Sequence, residues 1–229
     1  MLKITNASYK IAPDKTILHD INLTISNNEF ISIIGSNGAG KSTMLKLITS
    51  FIQPSSGRIE RNYHDHDVRY VLQDYKASTF ENLTVKENML IAAYKHKSSF
   101  LKRPSIDFKY WLEKLNLGLE YKIDELMSSL SGGQRQAVSI IMAIMMHPKL
   151  LVLDEHTSAL DPVTAKNLMD ISYKLCKGNN ITTVMVTHDL SHAAQYSDRI
   201  LVVKEGKITH DLKSNQNISE LMTFIMSDE

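Results

Sequence analysis

Nine consecutive residues constrain this chain more than any others: Gly35-Ser36-Asn37-Gly38-Ala39-Gly40-Lys41-Ser42-Thr43. Glycine is used where backbone must turn sharply or come close to something, and the flanks say where this turn sits. Upstream, Phe30-Ile31-Ser32-Ile33-Ile34 is a short, nearly continuous apolar run, as in a strand buried on both faces. Downstream, Met44, Leu45, Leu47, Ile48 and Phe51 recur at helical spacing and predict a helix over 41–52, ended by Pro54. Strand, glycine loop and helix form the context in which G-x-x-x-x-G-K-[ST] cradles phosphates. The loop's backbone N–H groups would wrap the anion and the helix N-terminus would add partial positive charge. Lys41 would reach the β- and γ-phosphates, and the Ser42 hydroxyl would bind Mg²⁺.

The rest of the chain reads as a frame around that loop. Leu2, Ile4, Ile17, Leu18, Ile21, Leu23 and Ile25 suggest an antiparallel element before it. Strands are expected at 57–61, 68–72, 150–153, 182–186 and 200–203, with a helix over 163–177. Between the second and third of these strands the chain reads mostly helical, over 85–96, 106–117 and 133–146, with breakers such as Pro104 and Gly118. The expected fold is α/β: a phosphate-loop NTPase (RecA-like) mixed sheet core, an N-terminal antiparallel β subdomain and an inserted α-helical subdomain. One unit would span 1–229, with 1–73 and 149–229 forming the core and 74–148 the helical part.

Composition narrows the class. A net charge of +1 gives no strong attraction to nucleic acid, and no nucleic-acid partner is expected. The single cysteine, Cys176, excludes an internal disulfide and suits a reducing compartment. The longest apolar stretch, 137–146, falls well short of the roughly 20 residues that span a bilayer, and the N-terminus lacks a secretion signal. The expected location is therefore cytoplasmic.

Two more clusters carry chemistry. Leu150-Leu151-Val152-Leu153 ends in Asp154-Glu155, where such folds place the carboxylate that serves Mg²⁺. Asp154 takes that role, and Glu155 is the candidate for polarising an attacking water. Leu130-Ser131-Gly132-Gly133-Gln134-Arg135-Gln136 opens a long helix, so Ser131 and the free N–H groups after it form a second anion site. One nucleotide could use both sites only if the two loops face each other.

In this order, the phosphate loop, LSGGQRQA at 130–137, LLVLDE at 150–155, SALD at 158–161 and VMVTHD at 184–189 resemble the motif set of ABC-type ATP-binding cassettes. The resemblance implies ATP and Mg²⁺ as cofactors and a homodimer, or a pairing with a second cassette, stacked head to tail in the ATP-bound state. Ser131, Gly133 and Gln134 would then act on the partner's nucleotide. Gln73 matches the glutamine that contacts Mg²⁺ and the attacking water, His188 the switch histidine at the γ-phosphate, and Asp161 an aspartate that communicates across the dimer. It also implies an integral-membrane permease subunit, with the chain peripheral on the inner face of the cell membrane and the Gln73 loop and 75–97 forming the docking groove.

The sequence departs from the family pattern twice. Many cassettes stack an aromatic residue on adenine five positions after an asparagine like Asn6; here that position is Ile11, with Tyr9 on the same face of a regular strand as the other candidate. His156 stands where most cassettes have proline and reads as a surface-turn histidine, the alternative being a residue that tunes its neighbour's pKa. The Glu-His-Thr-Ser-Ala-Leu-Asp variant is similar to a subgroup of bacterial import ATPases found with a multi-span permease and an extracytoplasmic binding protein, some linked to aromatic amino acids. The alternative is a soluble ABC-type ATPase, such as one in iron-sulfur assembly. His64-Asp65-His66-Asp67 reads as a polar loop rather than a metal site.

Overall fold

The computed structural model describes residues 1–74, 76, 78–94, 106–213 and 217–226. Strands β1 (Leu2–Ala12) and β2 (Lys15–Ile25) form an antiparallel hairpin, β3 (Phe30–Ile34) leads into helix α1 (Lys41–Ile48), and β4 (Ser56–Arg61) returns to pair with β1. Strand β5 (Val68–Val71) is followed by α2 (Val85–Tyr94), α3 (Phe108–Glu113) and α4 (Gly132–Ile144). Then come β6 (Leu150–Asp154), α5 (Pro162–Gly178), β7 (Thr182–Val186), α6 (Leu190–Tyr196), β8 (Arg199–Lys204), β9 (Lys207–Lys213) and α7 (Ile218–Met226). A three-stranded sheet runs β2-β1-β4, and a six-stranded one runs β5-β6-β7-β3-β8-β9, parallel except for β9.

The apolar runs of the central strands follow from burial on both faces. Leu151 and Leu153 join the cluster built with α4 and α5, while Leu150 and Val152 join the one built with α1 and the β1–β2 hairpin. Alternate residues thus feed opposite cores, so no polar face is left to break the run. Among the described residues, no helix is long and apolar enough to cross a membrane.

Two helices are clearly shorter than the sequence expectation. Helix α1 stops at Ile48, because the Thr49 hydroxyl turns back to the Leu45 carbonyl (2.8 Å) and Ser50 adopts a left-handed φ of 59°. Phe51, counted as part of its apolar face, is 76% exposed. Helix α3 is shorter than 106–117: Asp107 caps it by accepting the Tyr110 N–H (3.1 Å), and it ends before the left-handed Asn116. The expected helix over 85–96 is α2 as far as Tyr94; 95–96 and Pro104 lie outside the described residues.

Candidate functional site

All the parallel strands deliver their C-terminal ends to one edge, and the phosphate loop sits there. Ile33 pairs with Val186, which pairs on its other side with Asp154, so the loop after β3, the His188 loop and the β6 carboxylates start from one row. The loop's shape is enforced from outside. At Gly35 (φ 151°) a Cβ would overlap the Val203 carbonyl of β8. Gly206, in the β8–β9 turn, donates its N–H to the Ala39 carbonyl (2.8 Å), and its own carbonyl accepts the His19 N–H of β2 (2.9 Å). A Cβ on Gly206 would collide with the Ile17 carbonyl, so only glycine lets the turn wedge between loop and hairpin.

Helix α1 opens on Gly40, which has no side chain to cap it, so its first N–H groups are available to an anion. Ser36, Asn37, Gly38 and Ser42 are exposed along this face, Gly40 and Thr43 are half-buried, and Ala39 is turned into the core. Lys41 is 7% exposed, and its Nζ donates to the carbonyls of Gly35 and Ser36, both at 2.9 Å. Burial lowers its pKa from the usual lysine value, while the charges of Glu155 and Asp154 oppose that shift.

Asp154 is half-buried at the end of β6, and its pKa is raised first by burial, then by the neighbouring Glu155, against the pull of Lys41. Glu155 holds a left-handed φ of 46°, a conformation that costs a non-glycine residue about 1–2 kcal/mol. Its N–H donates to the Val186 carbonyl (3.0 Å), and its carbonyl accepts the Ser158 hydroxyl (2.8 Å). The reversed backbone sends the carboxylate to His188, whose Nε2 lies 2.7 Å from Glu155 Oε1. Gln73 is exposed just beyond β5, whose last residue Val71 pairs with Leu153. Two adjacent carboxylates at the edge of the fold, one desolvated, with the exposed Ser42 hydroxyl as a further oxygen donor, fit a hard divalent cation. Among the described residues, no group of three or more His, Cys, Asp or Glu side chains forms a closed metal cage, so such an ion would share its shell with phosphate and water.

The second anion site is built differently. Ser131 caps α4 by accepting the Gln134 N–H (3.3 Å), while Gln134 Oε1 accepts the Ser131 N–H (3.1 Å). Gly133 backs onto the Thr164 methyl group of α5, and a cavity of about 160 Å³ opens among Ser131, Gly133, Gln134, Thr164, Asn167 and Leu117. Asp161 caps α5, accepting from the Val163 (3.2 Å) and Thr164 (3.0 Å) N–H groups. The residues lining this cavity therefore come from the start of α4, from α5 and from Leu117, and include none of residues 35–43.

Two expectations need correction. His156 is not a surface residue: it is 3% exposed, and Thr157 is 8% exposed, because the left-handed Glu155 turns the following residues inward. Burial, then the nearby His192, pushes the His156 pKa down to about 3. Strand β1 is not regular either. Register shifts around Ala7, Tyr9, Lys10 and Ala12 remove the assumed shared face; Tyr9 packs against the core, while Ile11 is 65% exposed. The His64–Asp67 stretch forms a short capped turn in which Asp67 accepts the His64 N–H (2.9 Å) and pairs with Lys149 (3.3 Å). Gly206 was missed because it stands alone; the signal was Glu205-Gly206 between two strands, a two-residue hairpin turn with both φ values positive.

A mixed sheet with a phosphate loop and strand-end carboxylates at the same edge defines a phosphate-loop nucleoside triphosphatase. The family described as ABC transporter matches residues 18–158, and the chain belongs to that family. It is 39% identical over 235 residues to a tyrosine transport ATP-binding protein of Clostridioides difficile (strain R20291), covering 94% of this chain and 93% of that one. It is 31% identical to the phosphonates import ATP-binding protein PhnC 1 of Ruegeria sp. (strain TM1040), over 93% and 89% of the two chains. Among solved structures, cbiO1 of Clostridium perfringens, part of the cbiONQ transporter complex, superposes with a TM-score of 0.78 at 27% identity, covering 97% of this chain and 90% of that one. The dimeric cassette MJ0796 bound to ADP and Pi superposes with a TM-score of 0.73 at 27% identity, over 95% and 100%. The chain is an ABC-transporter ATPase that uses ATP and Mg²⁺.

Proposed function

We propose that this ATPase drives solute import through a separate integral-membrane permease, working as a head-to-tail pair of cassettes. The observation that carries the catalytic assignment is the 2.7 Å contact between Glu155 and His188 beside the phosphate loop, with Glu155 held in a strained backbone conformation. In this reading residues 35–43 bind the triphosphate, with Lys41 leaving the Gly35 and Ser36 carbonyls for the β- and γ-phosphates. Ser42, Asp154 and Gln73 would hold Mg²⁺, which when bound neutralises charge on the phosphate oxygens. Glu155 orients and polarises the attacking water; His188 holds Glu155 before ATP arrives and contacts the γ-phosphate afterwards. Ser131, Gly133 and Gln134 present the second anion site to the partner's nucleotide. The two candidates for packing on adenine differ in setting: Tyr9 pairs with Leu18, which lies beside Gly40, while Ile11 is exposed near the hairpin end.

Residues 74–148 would form the helical unit that passes motion to the permease. A groove of about 800 Å³ between β5, α2 and α4, with Tyr70, Leu72, Phe80, Ile91 and Met142 in its walls, supports a docking surface there. The proposed docking segment 75–97 is described only in part; residues 75, 77 and 95–97 lie outside the described set. Similarity to the tyrosine transport protein supports an aromatic amino acid as cargo; in the same reading an extracytoplasmic binding protein would deliver it and the chain would sit on the inner membrane face.

The Glu155→Gln variant tests the mechanism. It should bind ATP, stop hydrolysing it and accumulate as a dimer by light scattering; turnover at the wild-type rate would refute the assignment of Glu155. Purification from membranes should recover a multi-span partner, and disruption of the gene should abolish uptake of labelled tyrosine or tryptophan. Recovery of no membrane protein would favour the soluble ATPase instead.

A further inference from the structure

Helix α4 does more than present Ser131. Three of its side chains reach the segment that follows β5: Arg135 Nη1 donates to Glu81 Oε1 (2.8 Å), Ser139 Oγ meets Ser78 Oγ (2.9 Å), and Gln136 Nε2 donates to the Leu72 carbonyl (3.3 Å). The third differs in where it lands. Leu72 directly follows the last residue of β5 and precedes Gln73, whereas Ser78 and Glu81 lie further along, towards α2. The Leu72 carbonyl can only accept, which fixes the orientation of the Gln136 amide. Gln136 is 1% exposed, and its Oε1 has no hydrogen-bond partner among the described residues. A buried amide with half its bonding capacity unused is unfavourable in a purely structural role.

We infer that Gln136 is a positioning residue for hydrolysis, holding the Leu72–Gln73 backbone so that the Gln73 amide meets the attacking water. It ties the start of the helix that serves the partner's nucleotide to the residue beside the chain's own. Any displacement of α4 on pairing is thereby delivered to Gln73, and the idle Oε1 leaves the amide free to take a second donor as the segment shifts. This inference rests on the role proposed for Gln73 above.

A double-mutant cycle on the full chain tests it, with steady-state ATPase kinetics as the readout. Gln136→Met keeps length and burial and removes the donor; Gln136→Leu also removes it and stays apolar at the same buried position. Both should lower kcat by about tenfold, the scale expected for a small misplacement of a reacting geometry, with KM for ATP within about twofold of wild type. On a Glu155→Gln background, Gln136→Met should still give the ATP-dependent dimer. The Gln73→Ala/Gln136→Met double variant should be no slower than Gln73→Ala alone. If the two losses multiply, if either Gln136 variant keeps the wild-type kcat, or if KM rises in step with the loss, the inference is overturned. Failure of the underlying reading looks different: Gln73→Ala by itself would turn over at the wild-type rate, which removes both claims.

Discussion

The two glycine clusters stand in different relations to their own chain. Gly35, Gly38 and Gly40 all take positive φ values (151°, 81° and 101°), and Gly35 is pressed against the backbone of β8. Gly132 lies in the first turn of a regular helix, and a Cβ added to it meets nothing within 4 Å. The first cluster is glycine because this fold requires it. The second combines Gly133, which backs onto Thr164, with an open position at Gly132 that no described residue explains, as a surface completed by another subunit's ligand would leave.

The largest expected effect comes from breaking the first cluster. Gly35→Ala places a methyl group into the Val203 carbonyl, an overlap with backbone on both sides that no rotamer change relieves. The variant should lose its cooperative thermal transition or fall by several degrees in Tm, and should not bind a fluorescent ATP analogue. A stable Gly35→Ala protein with normal affinity would erase the contrast between the clusters.

Mixing inactive subunits sharpens the comparison. On the proposed pairing, Lys41→Ala would disable a chain's own nucleotide site, and Ser131→Arg only what it offers its partner. Each alone should be inactive, yet an equal mixture should regain up to about a quarter of the wild-type rate, since half the dimers hold one intact site in a head-to-tail pairing. If both clusters served the nucleotide of the same chain, mixing would restore nothing.

The two regions were also unequally legible. Strands β3, β6 and β7 could be read almost to the residue, because burial on two faces writes an unbroken apolar run. Strand β9 is an edge strand with only partial burial, and α6 is too short to establish a period, so neither left a usable pattern. At the site, motif spacing named the loop and the carboxylates and the family resemblance named His188, but neither gave the contact that joins Glu155 to His188. His156 was misread for a related reason: its neighbours Glu155, Thr157 and Ser158 are polar, and its burial depends on a backbone reversal and on α6, both invisible to local composition.

That buried histidine gives a smaller effect. Its folded pKa, about 3, lies below the unfolded value near 6.5, so the unfolded chain binds the proton first as pH falls. Its contribution to stability is complete above about pH 6.5 and is lost as pH drops towards 3, at up to about 1.4 kcal/mol per pH unit. Urea unfolding of the metal-free, nucleotide-free chain between pH 7 and 5 should show this slope, and His156→Leu should flatten it. An unchanged slope in the variant would mean that other groups carry the acid sensitivity.

The smallest change discriminates best. Gly132→Ala introduces no overlap and replaces the residue with the lowest non-proline helix propensity by the one with the highest, worth at most about 1 kcal/mol and less at a first-turn position. Thermal unfolding should therefore show equal or slightly higher stability, opposite in sign to Gly35→Ala. ATP affinity of the isolated chain should be unchanged, because its own phosphate loop is untouched. On the proposed head-to-tail pairing, hydrolysis by the otherwise wild-type chain and ATP-dependent dimerisation on the Glu155→Gln background should nevertheless fall, since the added methyl group would stand between Ser131 and Gly133, the residues that pairing presents to the partner's nucleotide. A variant as active as wild type would leave the open position at Gly132 without a ligand to explain it, and would move the second anion site away from the pairing surface.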